Sequence, residues 1–378
     1  MAGAKKELMG SKTKIEWTDA TWNPFMGCSR VSEGCRHCYA ERIAGRFGGH
    51  LAKSSIYGEL TQIVNGHPVW SGVVKQASAE TRLAPLHWRK PRRVFVNSMS
   101  DLFHENAPDE WIDQAFAVMA LCPQHTFQAL TKRSKRMLDW VRKNSTGGRI
   151  FHLASQIDPK KYRAVSGSWP LPNVWLGVSV EHQEAADARI PLLLQTPAAV
   201  RFISAEPLLG AISLERWSDT GLECECGWFG TEEQATIDEK EPDDSGFSCP
   251  KCGETCAHTP LNERVGDGLG WVICGGESGP GARPMHPDWA RSLRDQCRAA
   301  NVPFFFKQWG EWLPEGIEVG WKDGGRPPRN VEHLWIAEDG TQHTGLIGSN
   351  DVRTWRVGKK AAGALLDGRE WRQFPEVR

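Results

Sequence analysis

Six short apolar runs, each closed by polar or small residues, decide what this chain of 378 residues can fold into. They are "RRVFVNSMSD" (92–101), "HTFQALTKRS" (125–134), "NVWLGVSVE" (173–181), "AVRFISAEPLLG" (199–210), "GWVICGGESG" (270–279) and "VPFFFKQWG" (302–310). The apolar and β-branched core of each fits a strand buried on both faces. Helical patterns stand between them. "PDEWIDQAFAVMALCPQ" (108–124) has apolar residues at helical spacing, "EHQEAADARIPLLLQT" (181–196) reads as helix up to Pro191, and "HPDWARSLRDQCRAANV" (286–302) is amphipathic. Strand then helix, repeated, implies a parallel sheet with right-handed crossovers. With "ATWNPFMGC" (20–28) as a short first strand, the expected fold is α/β, a partial parallel (β/α)6 barrel over residues 14–310. Residues 1–13 read as a disordered tail, 43–90 as a long connection, helical in part, 211–268 as a cysteine-bearing insertion and 311–378 as a C-terminal cap.

Lys plus Arg and Asp plus Glu each number 46, for a formal net charge of zero. This argues against indiscriminate nucleic-acid binding by bulk charge but permits a local basic groove. The sequence shows neither a signal-peptide pattern nor the roughly 20 apolar residues of a membrane helix. A soluble, cytoplasmic protein without a membrane partner is expected, so the 11 cysteines read as metal ligands, redox groups or core rather than disulfides. Most of the 18 tryptophans read as core, with those of "ATWNPF" and "QWGEW" as candidates for stacking on a flat ligand.

Three cysteines, Cys28, Cys35 and Cys38, lie in the loop "CSRVSEGCRHCYAE" after the first strand. Thiolates bind zinc, iron or an iron–sulfur cluster. A [4Fe–4S] cube normally takes four cysteines, so three leave one iron for a substrate or cofactor. A zinc ion completed by His37, or unligated core cysteines, are the competing readings. In a barrel, chemistry sits at the C-terminal ends of the strands, where this loop lies.

A barrel with a three-cysteine loop after its first strand resembles the radical S-adenosylmethionine (radical SAM) superfamily. "IEWTDATWNPFMGCSRVSEGCRHCYAERIA", "NSMSDLFHE", "LTKR", "GVSVE", "SAEPLLG", "GGESG" and "FFKQWGEW" look more narrowly like a phage and bacterial branch distantly similar to spore photoproduct lyase. The superfamily's usual first cysteine gap is shorter, and His37 stands where an aromatic is usual. The resemblance implies that Cys28, Cys35 and Cys38 hold a [4Fe–4S] cluster, whose fourth iron takes the amino and carboxylate groups of S-adenosylmethionine. It implies reductive cleavage to a 5′-deoxyadenosyl radical, and an electron donor such as a flavodoxin or ferredoxin. The cofactors supply that chemistry; the protein supplies orientation and exclusion of water.

The resemblance makes Ser98, Ser100 and Asp101, after the second strand, candidates for the cofactor's amino group. At the ends of the other strands stand Lys132 with Arg133, Ser179 with Glu181, Ser204 with Glu206, Gly276 with Glu277, and Lys307. Three strands end in a small residue followed by Glu. Each Glu alone reads equally well as a helix-start residue near the dipole. As a set they suggest a polar chamber in which Glu meets ribose or ammonium groups, and Lys or Arg meets a carboxylate or phosphate. "GGESG" lacks dinucleotide-loop spacing, and its glycines read as permitting close cofactor approach.

In the insertion, "CECGW" (224–228) and "CPKCGETC" (249–256) read as zinc-ribbon knuckles, with a 22-residue arm between Cys226 and Cys249. Cys224, Cys226, Cys249 and Cys252 are the expected ligands. The first pair has one intervening residue, so Cys256 or His258 could replace a member. Cys122, Cys274 and Cys297 read as core.

The expected function is a radical SAM enzyme acting on a nucleic acid or nucleotide base, by modification or repair. A peptide or small metabolite is a second substrate class. A non-catalytic zinc protein that binds nucleic acid or a phage partner is the alternative of a different kind.

Overall fold

The computed structural model describes residues 13–48, 56–214, 221–224, 226, 229–230, 236–237, 247–259, 268–317, 331–345 and 348–376. The expected disordered tail lies outside these residues except for Thr13. The chain divides into two compact units: Met1–Ser179 with Thr196–Ala199 and Gly279–Gly281, and Val180–Gln195 with Val200–Ser278 and Ala282–Arg378.

The first unit opens with β1 (Ala20–Trp22) and β2 (Phe25–Met26). The single strand expected over 20–28 is split because Pro24 has no N–H for the ladder. Helix α1 (Tyr39–Gly48) leads into a hairpin of β3 (Thr61–Val64) and β4 (His67–Trp70). Asn65 and Gly66 turn it at φ 49° and 78°, as a two-residue hairpin loop demands. Strand β5 (Lys75–Gln76) pairs antiparallel with β2. The long connection thus holds a hairpin, a strand and two short helical turns, Ala79–Arg82 and Ala84–His87.

Then follow β6 (Arg93–Val96), α2 (Asp109–Ala120), β7 (Thr126–Thr131), α3 (Ser134–Arg142), α4 (Thr146–Ile157) and β8 (Val174–Ser179). β1 pairs with β6, β6 with β7 and β7 with β8, all parallel. All six residues of β8 are buried, as its unbroken apolar run requires.

The second unit begins with α5 (Gln183–Leu194) and β9 (Val200–Ala205). Helix α5 does not stop at Pro191 as expected. Ile190, Pro191, Leu193 and Leu194 are buried, and that burial outweighs the hydrogen bond that Pro191 cannot donate. The insertion follows, with β10 (Gly221–Glu223), β11 (Phe229–Gly230), β12 (Thr236–Ile237), β13 (Phe247–Ser248) and β14 (Ala257–Thr259). Its pairings are all antiparallel: β10 with β11 and β14, and β12 with β13. Next come β15 (Trp271–Gly275), α6 (Pro287–Ala299) and β16 (Phe304–Gln308), with β15 parallel to both β9 and β16.

The C-terminal segment forms an antiparallel sheet from β17 (Trp312–Pro314), β18 (His333–Ile336), β19 (Gln342–His343) and β20 (Val352–Arg356). It then returns to β16, where the Phe306 N–H donates to the Trp371 carbonyl at 2.9 Å. That contact covers backbone groups a bare sheet edge would expose.

In the first unit the parallel strands run β1-β6-β7-β8 and in the second β9-β15-β16, each in chain order. Order without reversal belongs to an opened (β/α) barrel; a doubly wound sheet reverses its order midway. Among the described residues these seven strands are the short first strand and the six apolar runs read from the sequence. The tryptophans read as stacking candidates, Trp22, Trp309 and Trp312, are 2%, 1% and 4% exposed and belong to the core. Cys122, Cys274 and Cys297 are core as expected. Among the described residues no helix is long and apolar enough to cross a membrane.

Candidate metal centres

The three-cysteine loop leaves β2 through Gly27, at φ 103°, where a Cβ would lie 2.0 Å from the Val73 carbonyl oxygen. No other residue fits there. A single 3-10 turn, Glu33–Cys35, presents Cys35, and Cys38 stands just before α1. Cys28 and Cys38 pack against Ala40, Ala44, Leu60, Trp70 and Met99, and all three thiols are half-buried. They are close enough to repel one another as thiolates. His37 lays its ring against Gly281, where a Cβ would meet Cε1 at 2.8 Å.

Two cations stand beside the thiols. Arg133 Nη1 is 3.8 Å from Cys28 Sγ, and Lys132 Nζ donates to Ser32 Oγ at 3.1 Å. Burial pushes the Cys28 thiol up to about 12, and the Asp101 charge adds to this while Arg133 opposes it. Burial also pushes Cys38 up. Cys35 goes the other way: burial raises it, but the Lys132 charge and N–H bonds from Val31 and Ser32 together bring it below the ordinary thiol value. Behind the loop, Glu41 is 2% exposed, accepts from Arg30 Nε at 3.0 Å and accepts the Trp70 N–H at 2.7 Å.

The strand-end candidates of the first unit are tied into the chain. Asp101 is buried and accepts from Thr131 Oγ1 at 2.7 Å, the Phe103 N–H at 2.9 Å, the Lys132 N–H at 3.1 Å and Arg133 Nη1 at 2.9 Å. Arg133 continues to Glu105 Oε1 at 2.8 Å and Ser29 Oγ at 2.7 Å. Ser98 exchanges hydrogen bonds with Asn23, and its carbonyl accepts from the Tyr39 hydroxyl at 2.9 Å. Ser100 Oγ donates to the Phe25 carbonyl at 2.8 Å. Ser179 is buried at the end of β8.

In the second unit every expected Glu has a cation of its own. Glu181 is fully buried and pairs with Arg189 at 2.9 Å. Glu206 pairs with Lys307 at 2.8 Å and accepts from Ser204 Oγ at 3.1 Å. Glu277 accepts from the Arg283 side chain at 2.8 Å and 2.9 Å. Gly276 serves the chain's own packing: a Cβ there would sit 1.9 Å from the Trp309 carbonyl oxygen. The arginines on these carboxylates, and Glu41 behind the cysteine loop, escaped the sequence reading. Only Glu41 carried a local signal, three residues after Cys38 in the first turn of α1.

In the insertion, the sulfurs of Cys224, Cys226, Cys249 and Cys252 lie within 4.8 Å of one another, a group that can hold a metal ion such as zinc. Cys224 is 3.2 Å from Cys252, and Cys226 is 3.6 Å from Cys249. The Lys251 N–H donates to Cys249 Sγ at 3.4 Å. Burial opposes it, yet the amides of Lys251 and Cys252 help bring the Cys249 thiol down to about 7. Cys256 is buried beside this group but outside the four; the His258 side chain lies outside the described residues.

No curated protein and no solved structure matches the chain. One family model does, over residues 12–375, described as "Protein of unknown function (DUF5131)". With nearly its whole length matched, the chain belongs to the DUF5131 family.

Proposed function

We propose that this protein is a radical SAM enzyme in which Cys28, Cys35 and Cys38 hold a [4Fe–4S] cluster, and that its substrate is a nucleic acid or nucleotide base. The observation that carries the reading is the donor set: three half-buried thiols on one loop after β2, with cations beside two of them. Three thiolates leave a coordination position for S-adenosylmethionine. When bound, the cluster and S-adenosylmethionine supply reductive cleavage to a 5′-deoxyadenosyl radical. The chain's own part is to hold the thiolates, offset their charge with Arg133 and Lys132, and fix Arg133 through Asp101. Apolar packing from Ala44, Leu60 and Trp70 keeps water from Cys28 and Cys38.

The test is anaerobic purification and reconstitution. About four irons per chain at the first site, with S-adenosylmethionine cleaved to 5′-deoxyadenosine on reduction, supports the reading. Cys28→Ser, Cys35→Ser or Cys38→Ser abolishes that cleavage, whereas Cys249→Ser keeps the iron. Colourless protein that holds only zinc after reconstitution sinks it. The substrate class is tested by comparing nucleosides from cells with and without the active protein.

The antiparallel insertion with its four gathered sulfurs supports a zinc ribbon as a structural module of the same enzyme. It also favours a second reading, a non-catalytic zinc protein that binds nucleic acid or a protein partner. The iron content of the first site separates the two.

A further inference from the structure

No Asp or Glu occurs between Arg82 and Asp101, nor between Asp158 and Glu181. Arg89, Lys90, Arg92 and Arg93 fall in the first of these stretches, and Lys160, Lys161 and Arg163 in the second. The fold brings the two together. Lys161, in the turn Pro159–Tyr162, donates from Nζ to the Leu86 carbonyl at 2.6 Å. Trp88 packs against the buried His125 ring at 5.7 Å. Burial lowers the His125 pKa, and the charges of Arg92 and Lys161 add to the lowering, so a cation from each stretch stands near that one ring.

Arg89, Lys90, Lys160 and Arg163 are exposed. Neither these four nor Arg92 forms an ion pair with any described residue. Elsewhere the cations are matched: Arg133 by Asp101, Arg189 by Glu181 and Arg283 by Glu277. The acids flanking the face are Glu16, Asp19, Glu80 and Asp158. Asp19 is held by Arg93, through its N–H at 2.8 Å and its guanidinium at 3.3 Å. Asp158 accepts the N–H groups of Lys160 and Lys161 at 3.1 Å and 3.0 Å. Glu16 and Glu80 are exposed, and the cations outnumber all four. Arg93 opens β6 and His125 precedes β7, so the face lies at the N-terminal ends of these parallel strands. The cysteine loop leaves from the opposite end, and the four residues of β6 alone put about 13 Å between the two.

We infer that this face holds the phosphate backbone of a nucleic-acid chain, so that the substrate is a polymer and not a free nucleotide. The inference deepens the nucleic-acid reading above and rests on it for what the binding serves. Cations without carboxylate partners exchange the counterions of a phosphate backbone at no loss of ion pairs. Phosphate contacts position a chain without reading its bases, which suits a face remote from the thiols. At about 3.4 Å per step, a chain that meets both the face and the loop needs more than about four nucleotides. Two other partners fit worse. A membrane surface takes apolar side chains beside the cations, and a protein interface has an apolar centre. The exposed large apolar residues among the described residues, from Val31 to Val73, all lie outside the two stretches.

The experiment titrates the full chain against two fluorescein-labelled probes, a single-stranded RNA of about 20 nucleotides and a DNA duplex of about 20 base pairs, and reads anisotropy at about 50 and 200 mM salt. Wild type should bind at least one of them, and lose at least about tenfold in affinity between the two salt concentrations. Arg89→Glu/Lys90→Glu and Lys160→Glu/Arg163→Glu should each weaken binding at least about tenfold and flatten the salt dependence. Arg89→Gln/Lys90→Gln serves if a reversed pair misfolds. Lys135→Glu/Arg356→Glu changes the net charge equally at sites elsewhere and should bind as wild type does. Failure of wild type to bind either probe overturns the inference, as do face variants that bind like wild type, or a control pair that loses as much. So do phosphatidylserine vesicles that capture wild type and not the face variants while neither probe binds. The face variants should load iron and cleave S-adenosylmethionine as wild type does. Wild type that cleaves it yet binds neither probe loses this inference alone; wild type that binds a probe yet loads no iron loses the enzyme reading and keeps the face.

Discussion

Asp101 and Arg133 form a buried ion pair at 2.9 Å, and the same guanidinium reaches to 3.8 Å from the Cys28 sulfur. The carboxylate is fixed from the other side by the Thr131 hydroxyl and the Phe103 and Lys132 amides. A strand-end residue expected to touch a ligand is thus tied to an arginine, and the arginine faces the thiol.

Breaking that pair should be costly. Arg133→Met leaves the Asp101 charge buried without its cation, a loss of about 3–5 kcal/mol for such pairs. Lys135→Ala breaks the exposed pair with Asp139 and should cost no more than about 0.5 kcal/mol. Urea midpoints of the two variants against wild type check the contrast. Equal midpoints would show that the Asp101 amide and hydroxyl bonds alone hold its charge.

The loop cysteines of metal-free protein should react in a fixed order. The Cys35 thiol lies below its ordinary value, while Cys28 is pushed up to about 12. A thiolate forms only as pH rises through its own pKa, so alkylation at pH 7–8 should label Cys35 first and leave Cys28 nearly untouched. Lys132→Met removes the charge that lowers Cys35 and should slow its labelling, moving the pH profile upward. Timed iodoacetamide labelling with peptide mass mapping reads both effects.

Much of the sheet was legible because burial on both faces writes an unbroken apolar run, as in "VWLGVS" of β8. The carboxylates at the strand ends were legible as positions but not as contacts. Arg189 meets Glu181 from two turns along α5, and Arg283 meets Glu277 across a loop; neither leaves a periodic trace. The outward face of α1 was hidden for a different reason. Periodicity assigns the largest apolar residues to the core, yet here Ala40 and Ala44 face inward and Tyr39, Ile43 and Phe47 outward. Small residues are needed inside because Leu60, Trp70 and the cysteines already fill that space.

The insertion should bind one zinc through four cysteines and not through a fifth. Cys249→Ser removes a member of the gathered group and should lose the metal, with unfolding of the insertion, since such sites fold on their metal. Cys256→Ala, buried beside the group but outside it, should keep one zinc per chain. Metal analysis after gel filtration decides. Loss of zinc from Cys256→Ala with retention in Cys226→Ser would move the ligand set to Cys256.

Two glycines give opposite expectations for the same substitution. At Gly276 an added Cβ would lie 1.9 Å from the Trp309 carbonyl oxygen, a backbone atom that cannot rotate away. Gly276→Ala should therefore shift the ends of β15 and β16 and cost about 1–3 kcal/mol, the range for overpacking. Gly148, in the first turn of α4, has nothing within 4 Å of its missing Cβ. Gly148→Ala should gain up to about 1 kcal/mol, because alanine loses less backbone entropy in a helix. Thermal melts of the two variants should move in opposite directions from wild type. If Gly276→Ala melts with wild type, the close approach of residue 276 to Trp309 does not hold in solution.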